Sequence, residues 1–191
     1  MIKIATLGPE RTFSDKAAQK YLEKHPNLQA QIVYVQTITN VFEELSAQNC
    51  DLGVVPAENS TKTQGIVKET QVALKNFKVS IIDDLVLPVK LSFFSKAEPS
   101  QIKKIFVKEE AQNQCLKFLS EYSSNKIIHT DSNIDSFKKL NEDLSLESAA
   151  VVPSHLFEEY SRNYKFCVKN ITDEADNRTR FLVLKKSDET N

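Results

Sequence analysis

Residues 32–45 read "IVYVQTITNVFEEL", and residues 127–140 read "IIHTDSNIDSFKKL". Superposed at an offset of about 95 residues, the two match at Ile32/Ile127, Val33/Ile128, Phe42/Phe137 and Leu45/Leu140. Each reads as a β-branched strand running into an amphipathic helix. Each is followed by a short apolar strand, "GVVP" at 53–56 and "AVVP" at 150–153. The pattern predicts a duplication: an α/β chain of two similar β-α-β-α-β lobes. Short apolar strands alternating with helices predict largely parallel sheets covered on both faces. Two such lobes would leave a cleft between them, the usual place for a small ligand.

The rest of the chain fits this frame. "IKIATLG" reads as the first strand, and Ala17, Ala18, Tyr21 and Leu22 share a face of the helix after it. Thr12 and Asp15, and Asn40 and Glu43, stand at capping-box spacing. "KVSIIDDLVLPVKLSFFSK", residues 78–96, is a long apolar extended segment that would cross from one lobe to the other. These boundaries predict lobe one as residues 1–77 plus 166–186, lobe two as 78–165, and a disordered tail at 187–191.

Composition narrows the function. Net charge is −1, so no bulk field draws the chain to nucleic acid or to an anionic membrane. The N-terminus lacks a signal peptide and no run is long enough to span a bilayer, which points to the cytoplasm. Cys50, Cys115 and Cys167 are scattered, so neither a disulfide framework nor a metal site is expected. His25, His129 and His155 join no nucleophile pattern, and there is no dinucleotide or Walker loop. Only three glycines occur, and Gly8 and Gly65 lie at strand-to-loop exits, where α/β proteins bind ligands.

Three stretches could carry chemistry. "GPERTFS", residues 8–14, turns on a glycine into hydroxyls that open a helix. It reads either as an anion-binding corner or as plain capping by Thr12 or Ser14. "VPAENSTKTQG", residues 55–65, is a strand-terminal loop with Glu58, Asn59 and Ser60. It reads either as a solvated loop or as a ligand-binding sheet edge. "DNRTRF", residues 176–181, puts Thr179 between two arginines. Arg180 could grip a carboxylate bidentately while Thr179 hydrogen-bonds a leaving oxygen; the other reading is surface charge on a closing strand. Composition and spacing reach only a two-lobed protein that binds a small anion.

In this order the stretches resemble the catalytic domain of prephenate dehydratase. "GPERTFSDKAA" is similar to that family's Gly-Pro-x-Gly-Thr-Phe-Ser segment, "DLGVVPAENS" to its Val-Val-Pro-x-Glu-Asn-Ser loop, "NQCLKFL" to its Gln-Cys helix, and "NRTRFLVL" to its Asn-x-Thr-Arg-Phe motif. The resemblance covers nearly the whole chain. It implies two lobes like those of type II periplasmic binding proteins, conversion of prephenate to phenylpyruvate with loss of CO2 and water, and no cofactor or metal. By resemblance Thr179 is the catalytic hydroxyl, Arg180 neutralises a carboxylate and Phe181 walls the ring pocket. Thr12, Ser14, Glu58, Asn59, Ser60, Asn177 and Arg11 would bind substrate, with Thr130 and Ser132 capping a carboxylate. A homodimer is the implied assembly, and arogenate is the other implied substrate.

The chain departs from the family pattern at Arg11, where the family has glycine, and at "VKEE", residues 107–110, where it has Ser-His-Pro-Gln. The acidic pair Glu109 and Glu110 would repel a dianion unless Lys108 or Arg11 compensates. The ACT domain that usually follows does not appear in the sequence, so inhibition through it is not expected. Two alternatives stand beside the dehydratase: a prephenate decarboxylase that does not aromatise the ring, and a non-catalytic small-anion sensor on the same scaffold.

Overall fold

In the computed structural model, residues 1–61 and 65–187 are described. The predicted tail, residues 188–191 of it, lies outside them, as does part of the loop before Gly65. The chain divides into two compact units, one of residues 1–88 with the closing strand from Arg178, the other Val89–Asn177.

The first unit is one five-stranded sheet. Its strands are β1 (Ile2–Leu7), β2 (Ala30–Val35), β3 (Leu52–Asn59), β4 (Val79–Pro88) and β10 (Arg178–Lys186), in the order β2-β1-β3-β10-β4. β1 pairs in parallel with β2 and β3, whereas β10 runs antiparallel to both of its neighbours. Helix α1 (Phe13–Lys24) covers one face, where Ala17, Ala18 and Tyr21 pack on Ile4, Val54, Phe181 and Val183. Helices α2 (Ile38–Ser46) and α3 (Lys68–Asn76) cover the other, where Val41, Phe42, Leu45 and Ala73 pack on Ala5, Val55, Leu182 and Leu184. Gly53 lets α2 approach: a Cβ there would stand 2.7 Å from Val41 Cγ1 and 2.9 Å from Leu45 Cδ1. α2 starts earlier than the Asn40–Glu43 spacing suggests. Thr37 is its cap, and Asn40 closes a reciprocal capping box onto it.

The second unit repeats the plan. Its strands are β5 (Leu91–Ser95), β6 (Lys104–Val107), β7 (Ile127–His129), β8 (Ser148–Pro153) and β9 (Phe166–Val168), ordered β7-β6-β8-β5-β9. β6 is parallel to β7 and β8, and β5 is antiparallel to β8 and β9. Its helices are α4 (Glu109–Asn113), α5 (Leu116–Leu119), α6 (Asn133–Glu142) and α7 (Phe157–Tyr160). Phe94 is buried among Phe137, Phe157 and Tyr164, on the face that also buries Leu140 of α6. Phe93 faces Phe118 and Tyr122.

The repeat seen in the sequence is therefore real in topology. Ile32/Ile127 lie on β2 and β7, Leu45/Leu140 on α2 and α6, and the two Val-Val-Pro runs on β3 and β8. Each sheet is mixed, not largely parallel, because one strand in each returns against the others. The lobe boundaries also differ from those expected. The apolar run 78–96 is cut at Val89, so β4 stays in the first sheet beside β10. Residues 166–168, expected in lobe one, form β9 at the edge of the second sheet.

Candidate active site

The first unit gathers most of the expected residues at one sheet edge. β1 and β3 end there at Leu7 and Asn59, and the antiparallel β10 begins there at Arg178. This is the carboxyl edge of the parallel strands, where open α/β sheets hold ligands. Thr179 lies directly across from Asn59. The Asn59 side-chain amide donates to Thr179 Oγ1 at 2.8 Å, and both residues are buried. A buried hydroxyl and amide so far apart in sequence are brought together by the β3–β10 ladder. Ser60 closes the corner. Its N–H donates to the Arg178 carbonyl at 2.8 Å, and its hydroxyl accepts from the Arg178 N–H at 2.9 Å. Ser60 thus fixes the strand ends in place.

The two arginines do not flank Thr179 in space. Successive strand residues face opposite sides of the sheet. Thr179 and Phe181 face α1, while Arg180 faces the other way with Leu182 and Leu184. Arg180 Nε donates to Asp84 Oδ2 of β4 at 3.0 Å, and exposed Glu58 stands opposite Arg180 in the ladder. The expectation that Arg180 meets a substrate carboxylate beside Thr179 is not met by this arrangement, and Glu58 goes with Arg180. Phe181 is likewise corrected: it is 2% exposed and packed in the core under α1, where it cannot wall an open pocket.

The turn before α1 is built by capping. Thr12 Oγ1 accepts from the Asp15 N–H at 3.2 Å and donates to the Leu7 carbonyl at 3.2 Å. The buried Asp15 carboxylate accepts from the Arg11 N–H at 2.7 Å, from Gln19 and from the Tyr34 hydroxyl at 2.7 Å. Burial and that carboxylate push the Tyr34 phenol well above its ordinary range. The positive end of α1 is thus already met by Asp15, which favours the capping reading of "GPERTFS". Ser14 is buried in the first turn. Arg11 holds φ at 70°, in the left-handed region. Glycine reaches that angle without steric conflict, and here the arginine takes it and keeps the turn.

Thr130, Ser132 and Asn177 lie in the second unit. Ser132 caps α6, accepting from the Asp135 N–H at 2.9 Å, and Thr130 pairs with Ser136 at 2.7 Å. Both hydroxyls serve the helix start. Asn177 donates to Gln114 Oε1 at 2.7 Å, and both are buried. Gln114 sits in the break between α4 and α5, within the "NQCLKFL" stretch. Its only signal in the sequence is the Gln-Cys pair. Lys108 Nζ is 3.3 Å from Glu110 Oε1, so the acidic pair is partly offset by its own neighbour. Thr61 was not singled out either, yet it is 5% exposed and bonds to Asn59. Its place two residues beyond Asn59 is the signal.

Residues 4–189 match the family described as prephenate dehydratase. The chain is 31% identical over 189 residues to the bifunctional chorismate mutase/prephenate dehydratase of Aquifex aeolicus, covering 98% of this chain and 49% of that protein. It is 28% identical over 187 residues to the prephenate dehydratase of Lactococcus lactis, covering 97% of this chain and 64% of that protein. The chain therefore spans about half to just under two thirds of these relatives' lengths. The prephenate dehydratase of Arthrobacter aurescens, solved in complex with L-Phe, shares the fold with a TM-score of 0.77 at 23% identity, covering 98% of this chain and 61% of that one. A periplasmic substrate-binding protein of an ABC transporter from Coxiella burnetii has the same fold, with a TM-score of 0.52 at 11% identity over 98% of this chain and 85% of that one.

Proposed function

The chain belongs to the prephenate dehydratase family, and from that premise we propose that it converts prephenate to phenylpyruvate, CO2 and water, a step of phenylalanine biosynthesis in the cytoplasm. The observation that carries this reading is the buried hydrogen bond from Asn59 to Thr179 at the carboxyl edge of the first sheet. In the reaction the ring C–O bond breaks with its electron pair on oxygen. The bond from the ring to its carboxylate breaks with its pair passing into the ring, which becomes aromatic as CO2 leaves. The departing hydroxide takes a proton from solvent and leaves as water. Aromatisation supplies the driving force, and the protein's part is to orient the dianion and stabilise charge developing on the leaving oxygen. A threonine hydroxyl is a poor acid, so Thr179 acts by donating a hydrogen bond and keeps its proton.

The test is incubation of pure protein with prephenate and, separately, with arogenate. Phenylpyruvate is read as its strongly absorbing enolate in alkali, and phenylalanine from arogenate by chromatography. Phenylpyruvate from prephenate is the expected result. A non-aromatic keto acid would indicate the decarboxylase instead. Binding without turnover would indicate a sensor. Sedimentation velocity on the same sample tests the homodimer that the family resemblance implies.

A further inference from the structure

The direction of the hydrogen bond between Asn59 and Thr179 is set by a third residue. The Thr61 N–H donates to Asn59 Oδ1 at 2.9 Å, and the Thr61 hydroxyl donates to the same atom at 2.5 Å. A backbone N–H can only donate, so the atom it meets must be the amide oxygen. The other end of the Asn59 amide is then its NH2, and this is the group 2.8 Å from Thr179 Oγ1. An amide nitrogen also only donates. Thr179 therefore accepts from Asn59, and its own proton points away from it. With the amide turned over, the Thr179 proton would be drawn into the Asn59 carbonyl. Thr179 would then offer a leaving oxygen only its lone pairs, which repel the charge that develops there.

We propose that Thr61 is a positioning residue: it locks the Asn59 amide in the orientation that makes Thr179 a hydrogen-bond donor to the departing oxygen. This rests on the reaction proposed above. Thr61 acts through the Asn59 amide that its two donors hold. The three residues form a directed chain, Thr61 to Asn59 to Thr179, in which each donates to the next and the last donates outward.

Two substitutions and one spectroscopic measurement test it. Thr61→Val keeps the side-chain shape and the backbone N–H but removes one of the two donors to Asn59. We expect kcat to fall about tenfold with KM unchanged, and Thr61→Ser to restore it. Asn59→Asp replaces the donor by a carboxylate that can only accept, so the Thr179 proton turns inward. We expect kcat to fall about a hundredfold or more at neutral pH, then to recover as pH falls and the introduced carboxyl is protonated, because it can then donate to Thr179. Near-UV circular dichroism confirms that each variant is folded. Wild-type kcat in Thr61→Val, or an Asn59→Asp variant without recovery in acid, overturns the proposal. The Asn59 side-chain NH2, followed by NMR hydrogen exchange, gives a readout free of turnover. Slow exchange in the native protein and faster exchange in Thr61→Val support the chain even if prephenate is not turned over, a result that would refute the reaction alone. Equal exchange in the two refutes the role of Thr61.

Discussion

Thr179 and Arg180 are neighbours in sequence and face opposite sides of the same strand: one is buried against Asn59, the other is ion-paired with Asp84 at the surface. The pair's side chains are 48% and 44% exposed. Exposed pairs of this kind contribute little to stability, being screened by solvent. Arg180→Gln is therefore expected to leave the urea-unfolding midpoint nearly unchanged and to change kcat by no more than about threefold. A loss comparable to that of a Thr179 variant, measured in the same assay, would return Arg180 to the reaction.

Gly53 is where α2 lies closest to its sheet. An alanine methyl there must displace Val41 and Leu45, side-chain atoms in a core already closed. Overpacking of this kind costs about 1–3 kcal/mol, and Gly53→Ala should lower stability by that amount in chemical denaturation. The second unit carries alanine at the equivalent position, Ala150, and buries it fully. The reciprocal Ala150→Gly should also destabilise, through lost packing and strand entropy.

Arg11 adopts a left-handed backbone angle that glycine reaches without steric conflict. Relief of that conflict, about 1–2 kcal/mol, exceeds the extra chain entropy of glycine in the unfolded state. Arg11→Gly is expected to raise the denaturation midpoint with an unchanged m-value. A lowered midpoint would mean that the arginine side chain contributes more than its backbone strain costs.

Asp143 ties the turn after α6. It accepts from the Ser145 N–H at 2.9 Å and meets Lys104 Nζ at 3.1 Å, and the Ser145 bond leads in holding its carboxyl below the ordinary value of 3.8. A depressed folded-state value means stability that is present above the unfolded value and lost as pH falls through the folded one. Asp143→Asn should be less stable than the wild type at pH 7, with the gap closing below about pH 4. Urea melts at pH 7 and at about pH 2, below the folded value, read it directly. A gap that stays constant would show that the charge plays no part.

Much of this arrangement was readable in advance. The Phe42/Phe137 and Leu45/Leu140 echo marks helices that do the same job in two sheets, because a repeated fold must bury the same faces. Asn59 and Thr179 each stand out in their own motif, but that they meet as a cross-strand pair is set by the register of β3 and β10. The opposed faces of Thr179 and Arg180 run against the expectation that both meet the substrate, although period-two alternation along a strand implies them. Other features were not readable. The antiparallel entry of β10 and β5 is set by where a distant segment returns, which local pattern does not record. The cut at Val89 falls inside one long extended segment that reads as strand on both sides of Pro88. Gln114 meets Asn177 across 63 residues of chain, and Thr61 matters only through the Asn59 amide beside it; a lone polar residue has no periodicity to betray it.

The most direct measurement is single-turnover conversion of prephenate by wild type and by Thr179→Val, with phenylpyruvate read in alkali. The account predicts rapid formation by the wild type and a rate about 10²–10⁴-fold lower in the folded variant, the range expected for a group that assists a leaving oxygen. Equal rates in the two proteins, or no phenylpyruvate from the wild type, would contradict it.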